Sequence, residues 1–385
     1  MPKKIVQTKD ILGKSLLISG ILVALSAPAF AGGKIKIDDT KWISVGAGVR
    51  TSVASVSDAA PDGSSRSSDF NLENARLYIS GQATKDFKFY FGTEKMHGEY
   101  GILDAIIQYE PGEKFNVWMG RMLTPADRIE MNGPFYGLSW NQYTVPLYPS
   151  DNDPSNGANG VAGTYGRDEG ITFWGSFDKF QYAVGIFDGY SGVENQSDAP
   201  LYAARFAYNF MSKESNPGYY TSSTYFGKGG DILTLALSAQ SQSDGYGTVA
   251  SSGSFSGYAV DLFFEKPMSN NSAITFEAEF KSFDVSDNAV NFGASLFDGD
   301  ASFATFAYLL PGDTGASQYQ PYLRVTSNSP TVGDSSSLTE VGVNYIISGH
   351  NLRLNLNVTS GDANLTGAKA ADDVDAITFG MQFQI

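Results

Sequence analysis

Apolar and polar residues alternate strictly in this chain up to its last residue, which restricts the folds that it can adopt. The chain ends on "ITFGMQFQI" (377–385), in which every second residue is apolar: Ile377, Phe379, Met381, Phe383 and Ile385. A period of two indicates a strand with one apolar face and one wetted face. Because chain ends usually fray, this regularity predicts that the last strand is paired within a sheet.

The same alternation predicts sixteen strands in the whole chain. The predicted strands cover residues 42–53, 75–83, 87–94, 102–110, 114–121, 170–177, 180–187, 201–210, 231–240, 257–265, 273–283, 302–310, 318–326, 338–347, 351–359 and 374–385.

Short and long connections alternate along most of the chain. The breaks "TKD" (84–86) and "DK" (178–179) are short, whereas 123–168 and 241–255 are long and polar. One Gly- and Tyr-rich connection, 211–230, is long where a short turn is due. Short turns on one rim and long loops on the other are typical of outer-membrane barrels.

We therefore predict an all-β fold: a transmembrane antiparallel β-barrel of about 16 strands, with a long third loop that folds inward. The barrel domain is expected to occupy residues 32–385, without a second domain. The last strand should pair with the first, "WISVGAGVRTSV" (42–53), because closure removes both exposed edges. No apolar run after residue 31 approaches the ~20 residues that a membrane helix needs.

Residues 1–31 have the pattern of a secretory signal peptide. Four lysines precede the short apolar stretch "LLISGILVALSA", and "AFA" ends at Ala31. We expect cleavage after Ala31 and export to the outer membrane of a Gram-negative bacterium, where lipid and lipopolysaccharide would surround the protein.

The charge and the absence of cysteine exclude several classes of partner. Of 26 basic and 41 acidic residues, four lysines and Asp10 lie in the leader, which leaves 22 and 40 and a formal charge of −18. This balance argues against nucleic acid as a partner. Without cysteine, the chain cannot form a disulfide, a thiolate metal site or a c-type haem linkage. We expect no cofactor and no metal.

Several segments resemble the phosphate-selective porin O/P family of outer-membrane porins. They are "NLENARLYISGQATKDFKFYFGTE" with Ala-Arg-Leu at 75–77, "LDAIIQYEPGEKFNVWMGRMLTPADR", "GRDEGITFWGSFDKFQYAVGIFDG", and "VGVNYIISGHNLRLNLNVTSG" with its Asn-Tyr and Gly-His-Asn positions. The resemblance spans residues 42–385 and implies a sixteen-stranded channel that is usually trimeric.

The resemblance does not carry over phosphate selectivity. Phosphate-selective members line the pore with an arginine ladder and a lysine cluster at the constriction. In this chain, residues 123–168 contain only two arginines, Arg128 and Arg167, against five acidic residues: Asp127, Glu130, Asp151, Asp153 and Asp168.

The polar face of each strand predicts what lines the lumen. Its basic residues are Arg50, Arg76, Lys88, Arg205, Lys281, Arg324 and Arg353, and its acidic residues are Glu94, Asp104, Asp261, Glu265, Glu277, Glu279 and Glu340. One arc of the barrel wall would hold four of the basic residues: Arg50, Arg76, Arg324 and Arg353. Another arc would hold the acidic residues of the predicted strands 257–265 and 273–283. A basic wall facing an acidic wall would filter solutes; alternatively, these are solvated, paired charges that only wet the lumen.

The connection 123–168 is the strongest candidate for a constriction, because long connections are usually functional or disordered. Its aromatic residues would be buried if it folded inward: Phe135, Tyr136, Trp140 and Tyr143. Arg121, Asp127, Arg128 and Glu130 would then lie near the narrowest point. The alternative is an outward loop that packs on a trimer neighbour.

Other aromatic residues near strand ends predict membrane-interface girdles. They are Trp42, Tyr109, Trp118, Trp174, Tyr208 and Phe383. The acidic loops "DNDPSNGANG" and "KAADDVD" could bind Ca²⁺, but solvated loops are the simpler interpretation.

The chain is not expected to be an enzyme. A hydrolytic site needs a nucleophile beside a base, and the two histidines, His97 and His350, fall at opposite rims. We predict a porin, trimeric by family resemblance, that passes small hydrophilic solutes and ions by passive diffusion. The alternatives are an anion- or phosphate-selective channel and a barrel that sheaths an electron-transfer cytochrome.

Overall fold

A computed structural model describes residues 33–96, 99–141, 166–190, 195–285, 298–313, 315–331, 333–363 and 369–385. The predicted leader 1–31, His97, Tyr143 and the segment "DNDPSNGANG" lie outside these residues.

The alternating segments form one antiparallel sheet. In chain order its strands are β1 (Gly33–Lys36), β2 (Trp42–Val56), β3 (Asp69–Gln82), β4 (Phe87–Met96), β5 (Glu99–Tyr109), β6 (Asn116–Leu123), β7 (Arg167–Phe177), β8 (Phe180–Phe187), β9 (Leu201–Asn209), β10 (Ile232–Thr248), β11 (Ser251–Pro267), β12 (Ala273–Val285), β13 (Gly299–Leu309), β14 (Gln318–Pro330), β15 (Ser336–Ser348), β16 (Leu352–Ala363) and β17 (Lys369–Gln384); helix α1 (Arg128–Tyr136) follows β6.

The sixteen strands β2 to β17 close into a barrel, as predicted. Each strand pairs with its neighbours in sequence, and β17 pairs with β2. Phe383 lies opposite Val49, and the backbone of Ile385 exchanges two hydrogen bonds with Ala47, of 2.8 and 3.0 Å. The terminal alternation therefore belongs to the closing strand, which explains why it continues to the last residue.

The additional strand β1 was not predicted. It pairs with Trp42–Val45 of β2, whereas β17 pairs with β2 from Gly48 onward. The other edge of β2 is paired with β3 from Trp42 to Ala54. Strand β1 therefore pairs with the same edge of β2 as β17 does, beyond the end of β17.

The two faces of the sheet differ as the alternation requires. Outward residues are apolar and exposed, such as Val49 (40%) and Phe383 (46%), whereas their neighbours Arg50 (3%) and Gln382 (0%) are buried inside. An apolar outer band around a polar interior is the arrangement of a transmembrane barrel. Within the described ranges, no helix has the length and apolar character to cross a membrane.

One predicted loop is a strand pair. The stretch 241–255 was expected to be a long loop, but β10 runs to Thr248 and β11 begins at Ser251, so that the two strands are joined by a two-residue turn. Ser, Gly and Gln occupy both faces there, so the apolar signal that marks the lower part of these strands is missing.

Candidate functional site

The third loop enters the barrel with residues 124–141, which we call the crossing segment. Arg205 on β9 donates to the carbonyl of Ala126 (3.0 Å), and Arg353 on β16 donates to that of Gly137 (2.6 Å). Strands β9 and β16 lie seven positions apart around the barrel. Side chains from such distant strands reach one segment only if it lies inside the barrel.

The start of the crossing segment is a short kinked helix. The Asp127 carboxylate accepts the backbone N–H of Glu130 (3.0 Å), which caps α1. Gly133 has a left-handed φ of 63° and Pro134 follows it, so the chain turns within α1. Only glycine adopts this conformation without strain.

The first end of the crossing segment meets a paired charge cluster. Arg205 Nη2 lies 2.9 Å from Asp261 Oδ1, Arg128 Nε lies 3.3 Å from the same oxygen, and Lys281 Nζ lies 2.6 Å from Asp127. Lys281 also lies 3.5 Å from Glu279. These side chains are at most 5% exposed. Buried charges need such partners, because desolvation costs several kcal/mol per ion.

The other end of the crossing segment meets an arginine cluster, Arg50, Arg324 and Arg353. Arg324 donates to Ser139 (3.0 Å), and Arg50 donates to the carbonyl of Trp140 (3.0 Å) and lies 4.1 Å from the centre of its ring. Within the described part of the chain, no carboxylate oxygen lies within 4.0 Å of Arg324 or Arg353. Buried N–H groups of both arginines lack a hydrogen-bond partner there: Nε and Nη2 of Arg324, and Nη2 of Arg353.

Two inward glycines make room for the crossing segment. A Cβ at Gly48 on β2 would lie 2.8 Å from the ring of Phe135, and one at Gly380 on β17 would overlap the indole of Trp140. The predicted aromatic residues of the loop are therefore seated in the wall, and the glycines opposite them were not singled out from the sequence.

A second segment enters the lumen from the opposite rim. The connection between β9 and β10, residues 211–230, carries Glu214, which accepts two hydrogen bonds from Arg128 (2.9 and 2.6 Å). Its backbone bonds to α1, from Thr221 N–H to the Met131 carbonyl (3.3 Å). Nothing in the sequence pattern predicts this, although the unusual length of the connection was the available signal.

Local ion pairs involve Arg76, Glu94, Lys88 and Asp104, whereas Glu277 and Glu340 have no basic side chain within 4.0 Å among the described residues. Arg76 bonds Glu94 on the next strand, Lys88 lies 2.5 Å from Glu110, and Asp104 lies 2.9 Å from Arg167. Glu277 is buried on β12, opposite Thr305.

The loop bounds need a small correction. Arg121 belongs to β6 and lies 3.3 Å from Glu169 on β7, because ladder pairing with β7 continues through Leu123 and Arg167. Arg121 is thus a residue of the wall, and the connection comprises 124–166.

Two of the predicted girdle tryptophans lie inside the barrel. Trp118 is 2% exposed, and its ring contacts Trp174 edge-on at 5.4 Å and Tyr219 of the second segment at 5.2 Å. A position near a strand end does not show which face of the sheet a residue occupies. In the alternation along their strands, both tryptophans occupy inward-facing positions. Tyr208 and Phe383 are exposed on the outer face, as a girdle requires.

His350 lies in the turn between β15 and β16. Its Nε2 lies 3.2 Å from Ser222 Oγ and 3.0 Å from the carbonyl of Thr224. Burial, and secondly the charge of Arg353, lowers the pKa of His350 to about 3. A histidine with so low a pKa is a weak general base near neutral pH.

The sequence profile of the family "Phosphate-selective porin O and P" matches residues 43–253, more than half of the chain. The chain belongs to this family. It is an outer-membrane porin, a channel for passive diffusion, and the family and fold indicate a Gram-negative bacterium. No curated protein matches the porin in sequence.

Solved porins share the fold at low identity. An anion-selective porin from Comamonas acidovorans aligns with a TM-score of 0.59 and 13% identity over 90% of this chain and all of that chain. OmpT of Vibrio cholerae in its trimer form aligns with a TM-score of 0.56 and 12% identity over 90% of this chain and 100% of that chain. OmpF of Salmonella typhi with daunomycin aligns with a TM-score of 0.56 and 13% identity over 92% of this chain and 100% of that chain. At these identities the likeness concerns the fold alone.

Proposed function

We propose that this porin passes small hydrophilic solutes and ions, and that the crossing segment is its sieve. The observation that carries this proposal is the path of residues 124–141 from β9 across the lumen to β16. A segment held at both ends narrows the water-filled space, so solute size limits the flux. Electrostatic filtering by the lumen charges adds a second criterion.

A preference for anions is the second candidate, and the arginine cluster favours it. Arg324 and Arg353 are buried with N–H groups that have no partner among the described residues. A guanidinium without a carboxylate attracts anions, and its free N–H groups can bind phosphate or carboxylate oxygens. The solved anion-selective porin from Comamonas acidovorans shares the fold.

The experiment is the reversal potential and conductance of the purified protein in a planar bilayer under a KCl gradient, repeated with phosphate. An anion-selective current reduced by phosphate supports the arginine cluster as the filter. A cation-selective current that phosphate does not change contradicts the anion preference. It would indicate that the acidic loops determine the selectivity. Absence of any current contradicts the sieve itself.

A cytochrome sheath would require a lumen wide enough for a protein partner. The crossing segment is hydrogen-bonded to β2, β9, β14 and β16 inside the barrel, which disfavours that alternative. An intact barrel without current that binds a cytochrome would support it.

Three further features are proposed from the sequence and the family. We expect a homotrimer, as in the trimer form of OmpT, contact with lipid and lipopolysaccharide, and cleavage after Ala31. Cross-linking in detergent would give three subunits, and N-terminal sequencing of the exported protein would begin at Gly32.

A further inference from the structure

The connection between β9 and β10 is unlike the other connections on its rim. The turns at 178–179 and 268–272 are short, whereas residues 211–230, which we call the inner-turn segment, are long and partly removed from solvent, with only Met211, Ser215 and Lys228 of the segment exposed. Ser222, Ser223 and Thr224 are each at most 2% exposed. A polar segment this buried inside a barrel must have its hydrogen bonds satisfied by specific partners.

The inner-turn segment is anchored across the short-turn rim. Glu265 on β11 accepts the backbone N–H groups of Tyr225 (3.0 Å) and Gly227 (2.9 Å). Ser222 reaches His350, in a turn that lies six strands from β9 around the barrel. The ring of Phe226 lies 4.8 Å from the same histidine. The segment therefore extends from one side of the rim far across it.

The inner-turn segment is also joined to the crossing segment. The carboxylate of Glu214 receives both terminal nitrogens of Arg128, and Arg128 donates to the Ser222 carbonyl as well (2.9 Å). Thr221 Oγ1 donates to the Arg128 carbonyl (2.8 Å), and Ser223 N–H donates to the Tyr136 carbonyl (3.1 Å). The two segments, which come from opposite rims, form one hydrogen-bonded unit.

The Arg128–Glu214 pair has the geometry and burial of a stable ion pair. Both side chains are at most 4% exposed, and the two-pronged geometry is the strongest that arginine makes with a carboxylate. Burial would raise the pKa of Glu214, but the charge and hydrogen bonds of Arg128 outweigh it and lower the pKa. The carboxylate therefore stays ionised and bound well below neutral pH.

We propose that the inner-turn segment is a second specificity-determining element of the channel, so that two segments locked together by Arg128 and Glu214 form the constriction. This inference rests on the proposed sieving function and adds to it a determinant on the short-turn rim. Solute size is then set by both segments, and the third loop alone does not define the cut-off.

The first test replaces residues 215–229 with a short turn and measures single-channel conductance and the largest neutral sugar that enters the pore. We expect conductance to rise by about twofold or more, because a pore's current follows its narrowest section, together with a higher size limit. A folded variant with the conductance and size limit of the unmodified channel overturns the inference.

A second test leaves the segment in place, in case the shortened variant does not fold. The chain has no cysteine, so the exposed Ser215→Cys can be modified by a bulky thiol reagent during recording. We expect modification to reduce the current, whereas Asn270→Cys, exposed in another turn of the same rim, should leave it unchanged. Equal currents after modification at both positions overturn the inference.

The two proposals fail in distinguishable ways. A variant shortened in the third loop should also widen the pore if the crossing segment is a sieve. If that variant widens the pore and the Ser215→Cys current is insensitive to the reagent, the result contradicts only the proposal that the inner-turn segment is a second constriction element. If neither change alters the current, the sieving function fails with it.

Discussion

The two ends of the crossing segment are held by opposite electrostatic means. At its first end, arginine and lysine are matched by carboxylates in the paired charge cluster, as in the 2.9 Å contact between Arg205 and Asp261. At its other end, the arginine cluster donates to carbonyl and hydroxyl oxygens, as in the bond from Arg353 to Gly137. The first end is thus close to neutral, whereas the second keeps an excess of positive charge, with Glu340 as the carboxylate that accepts the Trp140 N–H (3.1 Å).

The residues that fix the loop therefore differ from those whose charge can filter ions. A neutral network of buried pairs gives position without a strong field outside it. Guanidiniums with no described carboxylate within 4.0 Å, such as those of Arg324 and Arg353, also hold the chain, but their field still reaches a passing ion. We expect mutations at the first end to alter stability and those at the second to alter selectivity.

The largest expected effect is that of Asp261→Asn. This change leaves Arg205 and Arg128 without their shared carboxylate, and removing one partner of a buried pair costs about 3–5 kcal/mol. The free energy of unfolding, measured with urea in lipid vesicles, should fall by that amount, and the current should become noisier as the crossing segment loosens.

The matched control is Asp231→Asn, which breaks the exposed pair with Lys266 (3.5 Å). Exposed pairs contribute about 1 kcal/mol or less, so this variant should resemble the unmodified porin. Equal loss of stability in the two variants would contradict the role given to the paired charge cluster.

A medium effect is expected from pH through His350, beside the arginine end. Its pKa is lowered from 6.5 to about 3 by burial and then by Arg353, so the unfolded chain takes up a proton that the folded chain does not. The stabilisation is complete above pH 6.5 and is lost as pH falls toward 3. At about pH 5 the free energy of unfolding should be lower by roughly 2 kcal/mol than at about pH 8.

The variant His350→Gln should remove this dependence on pH, whereas His97→Gln should retain it. The Arg128–Glu214 pair should contribute no pH dependence between about pH 5 and 8, because the lowered pKa of Glu214 keeps that pair intact until the pH falls below the ordinary glutamate value. A dependence that survives His350→Gln would show that another group titrates.

The barrel was predictable from the sequence, whereas the constriction was only partly so. Alternation locates strands because lipid and water impose opposite demands on the two faces, and the closing pair of β17 and β2 follows from the same rule. The inward loop could be anticipated from Phe135 and Trp140, which are too apolar for free solution.

What the sequence could not indicate is which lumen charges meet. The pairing of Arg128 with Glu214 joins residues 86 positions apart, and it depends on two loop paths that no period encodes. Trp118 and Trp174 were misplaced for a related reason: near a strand end, an aromatic residue suits both a lipid interface and a packed interior. The need for glycine at Gly48 and Gly380 becomes clear only from the aromatic rings that lie against them in the structure.

The smallest effect on stability is expected from Arg324→Met with Arg353→Met, which directly tests whether the arginine end sets the selectivity. Methionine keeps the length and adapts to irregular space, and no carboxylate among the described residues is left within 4.0 Å as an unpaired partner. The free energy of unfolding should change far less than in Asp261→Asn. The reversal potential in a KCl gradient should shift toward cations, because two positive charges leave the lumen.

The control removes two charges outside the lumen, Lys36→Met with Lys41→Met, whose side chains are 67% and 53% exposed. Exposed charges are screened within about 8–10 Å at physiological salt, so this variant should keep the original reversal potential. If the arginine variant also keeps it, selectivity does not arise from the arginine cluster, and the two ends of the crossing segment differ only in how they are held. If it shifts while the barrel stays as stable, holding the loop and filtering ions are separable in this porin.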